Sequence, residues 1–210
     1  IMYLNGGPLI SSNLTNYNAI YTNVKGGEID CIFGGAAVTE TYGNRILNIT
    51  GGTVRYSVFG GSNGTAGTNS DNSRGTLNGK SFIHVGGNAL IGTANDTVFE
   101  IEAGSVFGAG NGNSIPSVGS VNDSRIVIDG EATINGNVYG GGNFGAVNAQ
   151  SGNSSVTNIL INGSHIKGSV YGGGNKNGSG SDNVTSTITI QTTGGTIDTS
   201  VYGGSRNKGS

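Results

Sequence analysis

Asn137-Val138-Tyr139-Gly140-Gly141-Gly142-Asn143 decides the fold. Its first five residues follow an order of small or polar residue, aliphatic residue, aromatic residue, Gly, Gly. The order returns at Cys31-Ile32-Phe33-Gly34-Gly35, Ser57-Val58-Phe59-Gly60-Gly61, Ser105-Val106-Phe107-Gly108-Ala109, Ser169-Val170-Tyr171-Gly172-Gly173 and Ser200-Val201-Tyr202-Gly203-Gly204. The aromatic positions are 26, 48, 32, 32 and 31 residues apart. A period in this range marks a repeat architecture. The wide gap is about one and a half periods, which predicts an extra, degenerate unit between Phe59 and Phe107.

The residues upstream of each phrase share a grammar. A strand such as Arg125-Ile126-Val127-Ile128-Asp129-Gly130 opens the unit, and a short segment such as Ala132-Thr133-Ile134-Asn135-Gly136 follows. The aliphatic residue of that second segment lies five before the aromatic in four units, at Val54, Ile134, Ile166 and Ile197. Strands this short bury no core alone. Stacked coils solve the problem, because each strand then pairs with its counterparts above and below at about 4.8 Å. The expected fold is all-β: a parallel β-solenoid, a right-handed β-helix, of seven or eight coils with polar loops. It would run over residues 1–210 as one body. The competing all-β arrangement, a sandwich of antiparallel hairpins, predicts no in-register aromatic phrase.

Composition agrees. Gly is 42 of 210 residues, against a usual share of about 7%. Collagen is excluded, since the glycines have no period of three and Pro is 2. Gly, Asn, Ser and Thr also disfavour long helices. Net charge is −2 without a basic stripe, which argues against nucleic-acid binding. No apolar run nears the roughly 18 residues of a membrane span, so no membrane insertion is expected of this segment. No charged stretch followed by an apolar one marks a signal peptide, which is absent or already removed. Cys31 is the only cysteine and forms no internal disulfide.

The recurrent β-strand, Gly-Gly, β-strand, Val-Tyr-Gly-Gly-Gly-Asn grammar resembles the repeats of very large secreted surface proteins of bacteria and some archaea. These adhesin-like proteins are similar to the pectin-lyase-like β-helix superfamily. The resemblance spans about Val24 to Ser205. It implies a cell-surface or extracellular location and a structural or adhesive role. It does not select among adhesins, lyases and inert spacers, since fold does not fix function.

In-register stacking sorts residues into columns. Period-two alternation turns Leu47 and Ile49, Ile83 and Val85, Phe99 and Ile101, Ile126 and Ile128, Ile159 and Ile161, and Ile188 and Ile190 inward. Outward columns then put Glu102 beside Asp129 and, where their coils adjoin, His84 beside Glu100. A carboxylate pair serves acid/base cleavage of a polysaccharide, contributes to a Ca²⁺ site, or is two exposed acids. The third reading needs no chemistry beyond solvation. The seven Asp and five Glu are spread thinly. Catalytic residues and a resident cofactor are therefore not expected, and Ca²⁺ at Glu102 and Asp129 is the metal candidate. His84 and His165 share no column, and no nearby His activates Cys31.

Two columns read as structural. Phe33, Phe59, Phe107, Tyr139, Tyr171 and Tyr202 would stack as an aromatic ladder. Free exchange of Phe and Tyr places the ring tip at or near solvent, where a sugar platform is the alternative. Whether the aliphatic residue or the ring faces inward stays open, because a corner can change the phase by one. Asn63, Asn111, Asn143 and Asn175 lie four residues after an aromatic and suit an amide ladder. The polar phrases Ser70-Asp71-Asn72-Ser73, Asn95-Asp96-Thr97, Asn122-Asp123-Ser124 and Asp182-Asn183 suit strand-capping turns, with Ca²⁺ ligation as the alternative. Nine Asn-x-Ser/Thr sequons occur, little above chance.

The chain starts in mid-grammar and stops after an aromatic phrase. Open solenoid edges invite further pairing. The expected partners are more repeats of a longer array, or copies of itself stacked end to end as a filament. Glycans or a neighbouring cell surface are the expected ligands.

Overall fold

In a computed structural model the chain is all-β, and the described residues (3–4, 7–8, 19–64, 75–98, 101–112, 118–148, 155–176 and 186–207) contain no helix. The long strands are Ala19–Ile29, Asn44–Val54, Leu77–Val85, Val121–Asp129, Ser155–Asn162 and Ser186–Thr192. Each pairs in parallel with its predecessor. The six aromatic phrases form a second parallel sheet in sequence order, from Ile32–Phe33 to Val201–Tyr202. One long strand, its following short strand and one aromatic strand lie at one level, a rung. The parallel sheet curls around a common interior, which fits a solenoid-like fold.

Three features of the sequence produce the curl. First, the inward positions are aliphatic. The column Leu47, Ile83, Ile126, Ile159 is in register and at most 1% exposed. Ile49, Val85, Ile128 and Ile161 do the same one pleat on, as period-two alternation requires. Second, Val54, Ile91, Ile134 and Ile166 stack in the short strands, and Val58, Val106, Val138 and Val170 stack in the aromatic strands. All belong to one core. Burying such a side chain contributes about 1.5–3 kcal/mol, repeated at every rung.

The third feature is the glycine after each ring. The Gly60 and Gly108 α-carbons face Ser81 and Ser124 of the long strand, and a Cβ at either position would collide with those hydroxyls. A side chain here would push the two sheets apart. The opposing column runs Arg45, Ser81, Ser124, Thr157, Ile188.

The described residues hold six rungs, fewer than the spacing predicts. Val106 and Phe107 pair directly with Val58 and Phe59, and Leu77–Val85 pairs with both Asn44–Val54 and Val121–Asp129. The gap between Phe59 and Phe107 therefore holds one rung plus an insertion. Its strands Thr97–Val98 and Ile101–Glu102 form an antiparallel hairpin outside the stack. Gly92 and Gly104 meet at the base of the insertion. The order Ile91, Gly92, Gly104, Ser105, Val106 then matches Ile134 to Val138.

Candidate functional site

The aromatic phrases turn Val inward and the ring to the opposite face of their sheet. Phe59, Phe107 and Tyr139, flanked by Phe33 and Tyr171, pack as a cluster apart from the main core. Rings from Phe33 to Tyr202 stack successively at centroid distances of 4.8 to 5.0 Å, with planes within 10°. That distance is the strand spacing of a sheet, so the ladder follows from register. The middle rings are shielded, with Phe59 and Phe107 at 0% and Tyr139 at 1% exposure. This corrects the expectation of ring tips near solvent. Groups from later rungs close over Tyr139. The Tyr139 hydroxyl donates to Asn175 Oδ1 (3.3 Å) and accepts from Arg206 Nη1 (3.4 Å). Tyr202 alone among the six is exposed, at 48%.

The asparagines form a continuous amide ladder. Asn111 Nδ2 donates to Asn63 Oδ1 (3.0 Å), Asn143 Nδ2 to Asn111 Oδ1 (2.8 Å) and Asn175 Nδ2 to Asn143 Oδ1 (2.9 Å). Asn111, Asn143 and Asn175 are buried, and each amide both donates and accepts, so the buried part of the column is satisfied. A parallel column stands at the corner before the aliphatic residue. The Ser57 hydroxyl accepts from Ser105 N, that of Ser105 accepts from Asn137 N, and Asn137 Oδ1 accepts from Ser169 N. The sequence displayed this column as the first residue of each phrase. What hid its role is that the partner is the backbone one rung away. Cys31 occupies its first place. Burial pushes the Cys31 thiol up, against the Ser57 amide that hydrogen-bonds it.

The charged residues fall differently from the column expectation. Glu102 is in the inserted hairpin, its backbone opposite Thr97, so Glu102 and Asp129 are not column neighbours. The alternation Val98-Phe99-Glu100-Ile101-Glu102 imitates a long strand, but Leu77–Val85 already fills that place. Phe99 and Glu100 lie outside the described residues. Asp129 instead meets His84: Nε2 lies 2.9 Å from Asp129 Oδ1, and Nδ1 lies 2.7 Å from Asn48 Oδ1. Asn48 Nδ2 donates onward to Asn23 Oδ1 (3.2 Å). An imidazolium would donate at both nitrogens, a neutral ring at one. The contact crosses the register diagonally. It needs Gly86, where a Cβ would lie 2.6 Å from His84 Nε2 and collide with Asp129 Oδ1. His84 is buried.

His165 also reaches the next rung, with Nε2 2.9 Å from Asp198 Oδ1, but both groups are over 40% exposed. Asp123 clamps three rungs, taking Lys80 Nζ at 2.7 Å and Val156 N at 2.9 Å. In Asn95-Asp96-Thr97, Asp96 accepts from the Tyr56 hydroxyl (3.1 Å), which raises the phenol's pKa. Ser70 to Ser73 and Asp182-Asn183 are outside the described residues. Among the described residues no three of His, Cys, Asp and Glu converge as metal ligands would.

The site is thus distributed: stacked parallel rungs with buried aromatic and amide ladders, joined by ion pairs that cross between rungs. No family model, curated protein or solved structure matches the chain.

Proposed function

We propose that this chain is a stretch of a stiff extracellular rod: a right-handed parallel β-helix with a structural and adhesive role on a cell surface, and not an enzyme. The observation that carries the reading is the shared register of the core columns. Four apolar columns and the ring column pass through consecutive rungs with one chemistry. Nearest-neighbour stacking of this kind builds stiff, extended bodies. Right-handedness follows from the strong preference of parallel crossover connections. The polar loops and the Asn, Ser and Thr of the outer face are the groups offered to glycans or neighbouring cells.

The test is an immobilised chain probed with a glycan array and with whole cells. Retention on defined glycans supports adhesion, and silence on both reduces the role to a spacer. Release of reducing ends from any polysaccharide would overturn the non-enzymatic reading. Melting that shifts in chelator would revive Ca²⁺ binding.

One observation favours a second reading, a self-assembling filament. Val201 and Tyr202 in the last described rung are 49% and 48% exposed, where their counterparts one rung back are 0% exposed and half-buried. A further rung, of a longer array or of a second copy, would cover them. Concentration-dependent fibres in electron micrographs select this reading, and a monomer at all concentrations rejects it.

A further inference from the structure

We infer that Asn162 is a site of spontaneous backbone-assisted deamidation, and that the fold protects the other described Asn-Gly pairs from the same reaction. The inference is independent of the rod's biological role. In the reaction the Gly163 amide nitrogen attacks Asn162 Cγ. The N–Cγ bond forms, the Cγ–Nδ2 bond breaks, and the amide proton leaves with the nitrogen as ammonia. Water then opens the succinimide at either carbonyl, giving aspartate or isoaspartate. Only water is consumed. The chemistry requires a following residue without a side chain and an amide nitrogen free to reach Cγ, since reactivity depends on the attacking atoms attaining a near-attack geometry.

Seven Asn-Gly pairs occur in the chain. Asn5-Gly6 and Asn177-Gly178 lie outside the described residues. Of the other five, four are held. Gly64 N donates to Ala37 O (2.9 Å) while Asn63 Oδ1 accepts from Asn111. Gly112 N donates to Asn63 O (2.8 Å), and Asn111 is 1% exposed within the amide ladder. Gly136 N donates to Gly104 O (3.0 Å) while Asn135 Nδ2 donates to Gly92 O (2.5 Å). Asn78 and Gly79 lie inside strand Leu77–Val85, with the Asn78 amide on Glu40.

Asn162-Gly163 differs on every count. Both residues are exposed, and Asn162 ends its strand. Among the described residues nothing accepts from Gly163 N and nothing bonds the Asn162 amide. Gly194 beside it has no side chain to crowd the amide; a Cβ there would lie 3.3 Å from Asn162 Oδ1. The product has a consequence, because the register partner of Asn162 is Asp129. Conversion would set two carboxylates opposite each other, and like charges so placed destabilise a strand pair.

The experiment is a time course of the intact chain at mildly alkaline pH, folded and in denaturant, read by peptide mapping with isoaspartate-specific methylation. In the folded chain Asn162 should convert many-fold faster than Asn63, Asn78, Asn111 and Asn135. In denaturant the five rates should converge. Equal rates in the folded chain, no conversion at Asn162, or faster conversion at any of the four would overturn the inference. Asn162→Gln should abolish the early product without altering the circular dichroism. Asn162→Asp should lower the melting temperature at low salt, and added salt should restore it.

Discussion

The two histidines make one kind of contact in two environments. Each reaches an aspartate of the next rung through Nε2 at 2.9 Å. His84 is buried between Asn48 and Asp129, while His165 and Asp198 stand in solvent. Removing a buried partner leaves unsatisfied groups, at a cost of about 1–3 kcal/mol. Exposed pairs contribute about 0–1 kcal/mol, and salt screens them. His84→Ala should therefore lower denaturant stability by about 1–3 kcal/mol, and His165→Ala by under about 1 kcal/mol. Equal losses would mean that burial does not set the worth of these contacts. Residue columns were legible in sequence wherever the partner was the same position of the next rung, as with the asparagines. The His84–Asp129 diagonal was not. Offset by two residues, it depends on the missing side chain of Gly86, and neither fact leaves a periodic trace.

At the scale of the element, the apolar alternation told the inward faces of the stacked long strands, and the Val-aromatic-Gly-Gly phrase told its own stacking but left open whether Val or the ring turns inward. The inserted hairpin did not declare itself. Its alternation satisfies the same period-two test as a true rung, and only pairing distinguishes them. The structure suggests a direct trial. Gly92 and Gly104 are in contact, so joining them by deleting 93–103 restores the spacing found from Ile134 to Val138. The insertion contributes the Ala94 N to Arg55 O bond (2.9 Å) and the Tyr56–Asp96 contact, both peripheral to the core. We expect the deletion variant to keep its strand circular dichroism and cooperative melting, with a drop of a few degrees at most, since about 1 kcal/mol moves a chain of this size by about 2–4 °C. Loss of cooperative melting would show instead that the hairpin is part of the core. Phe33 to Tyr202 raise the opposite lesson. Their stacking was visible as a repeat, but their burial was not, because groups that meet the Tyr139 hydroxyl, Asn175 and Arg206, come from later rungs.

At the scale of the molecule, stability is a sum over neighbouring rungs, and no single centre holds the chain together. The valine amides of one column offer a controlled comparison. Val58 N donates to Ser105 O (3.0 Å), Val106 N to Asn137 O (2.9 Å), Val138 N to Ser169 O (2.9 Å) and Val170 N to Ser200 O (2.9 Å). Residue type, bond length and strand position are the same, and these valines are all fully buried. They differ in what lies beyond the acceptor. Three acceptors belong to rungs that are themselves covered, whereas Ser200 belongs to a rung whose residues are exposed or half-buried throughout. In a one-dimensional stack that rung opens by breaking one interface, and an interior rung opens only by breaking two. Native-state amide hydrogen exchange resolves such local openings. Val170 should exchange fastest of the four, with Val106 and Val138 closer to the global unfolding limit. A destabilising change in the last rung, such as Ile197→Ala, should speed exchange at Val170 and leave Val106 nearly unchanged. If all four amides exchanged at one rate and responded together, the stack would be a single cooperative body, and independent rungs would be the wrong description of what makes it stiff.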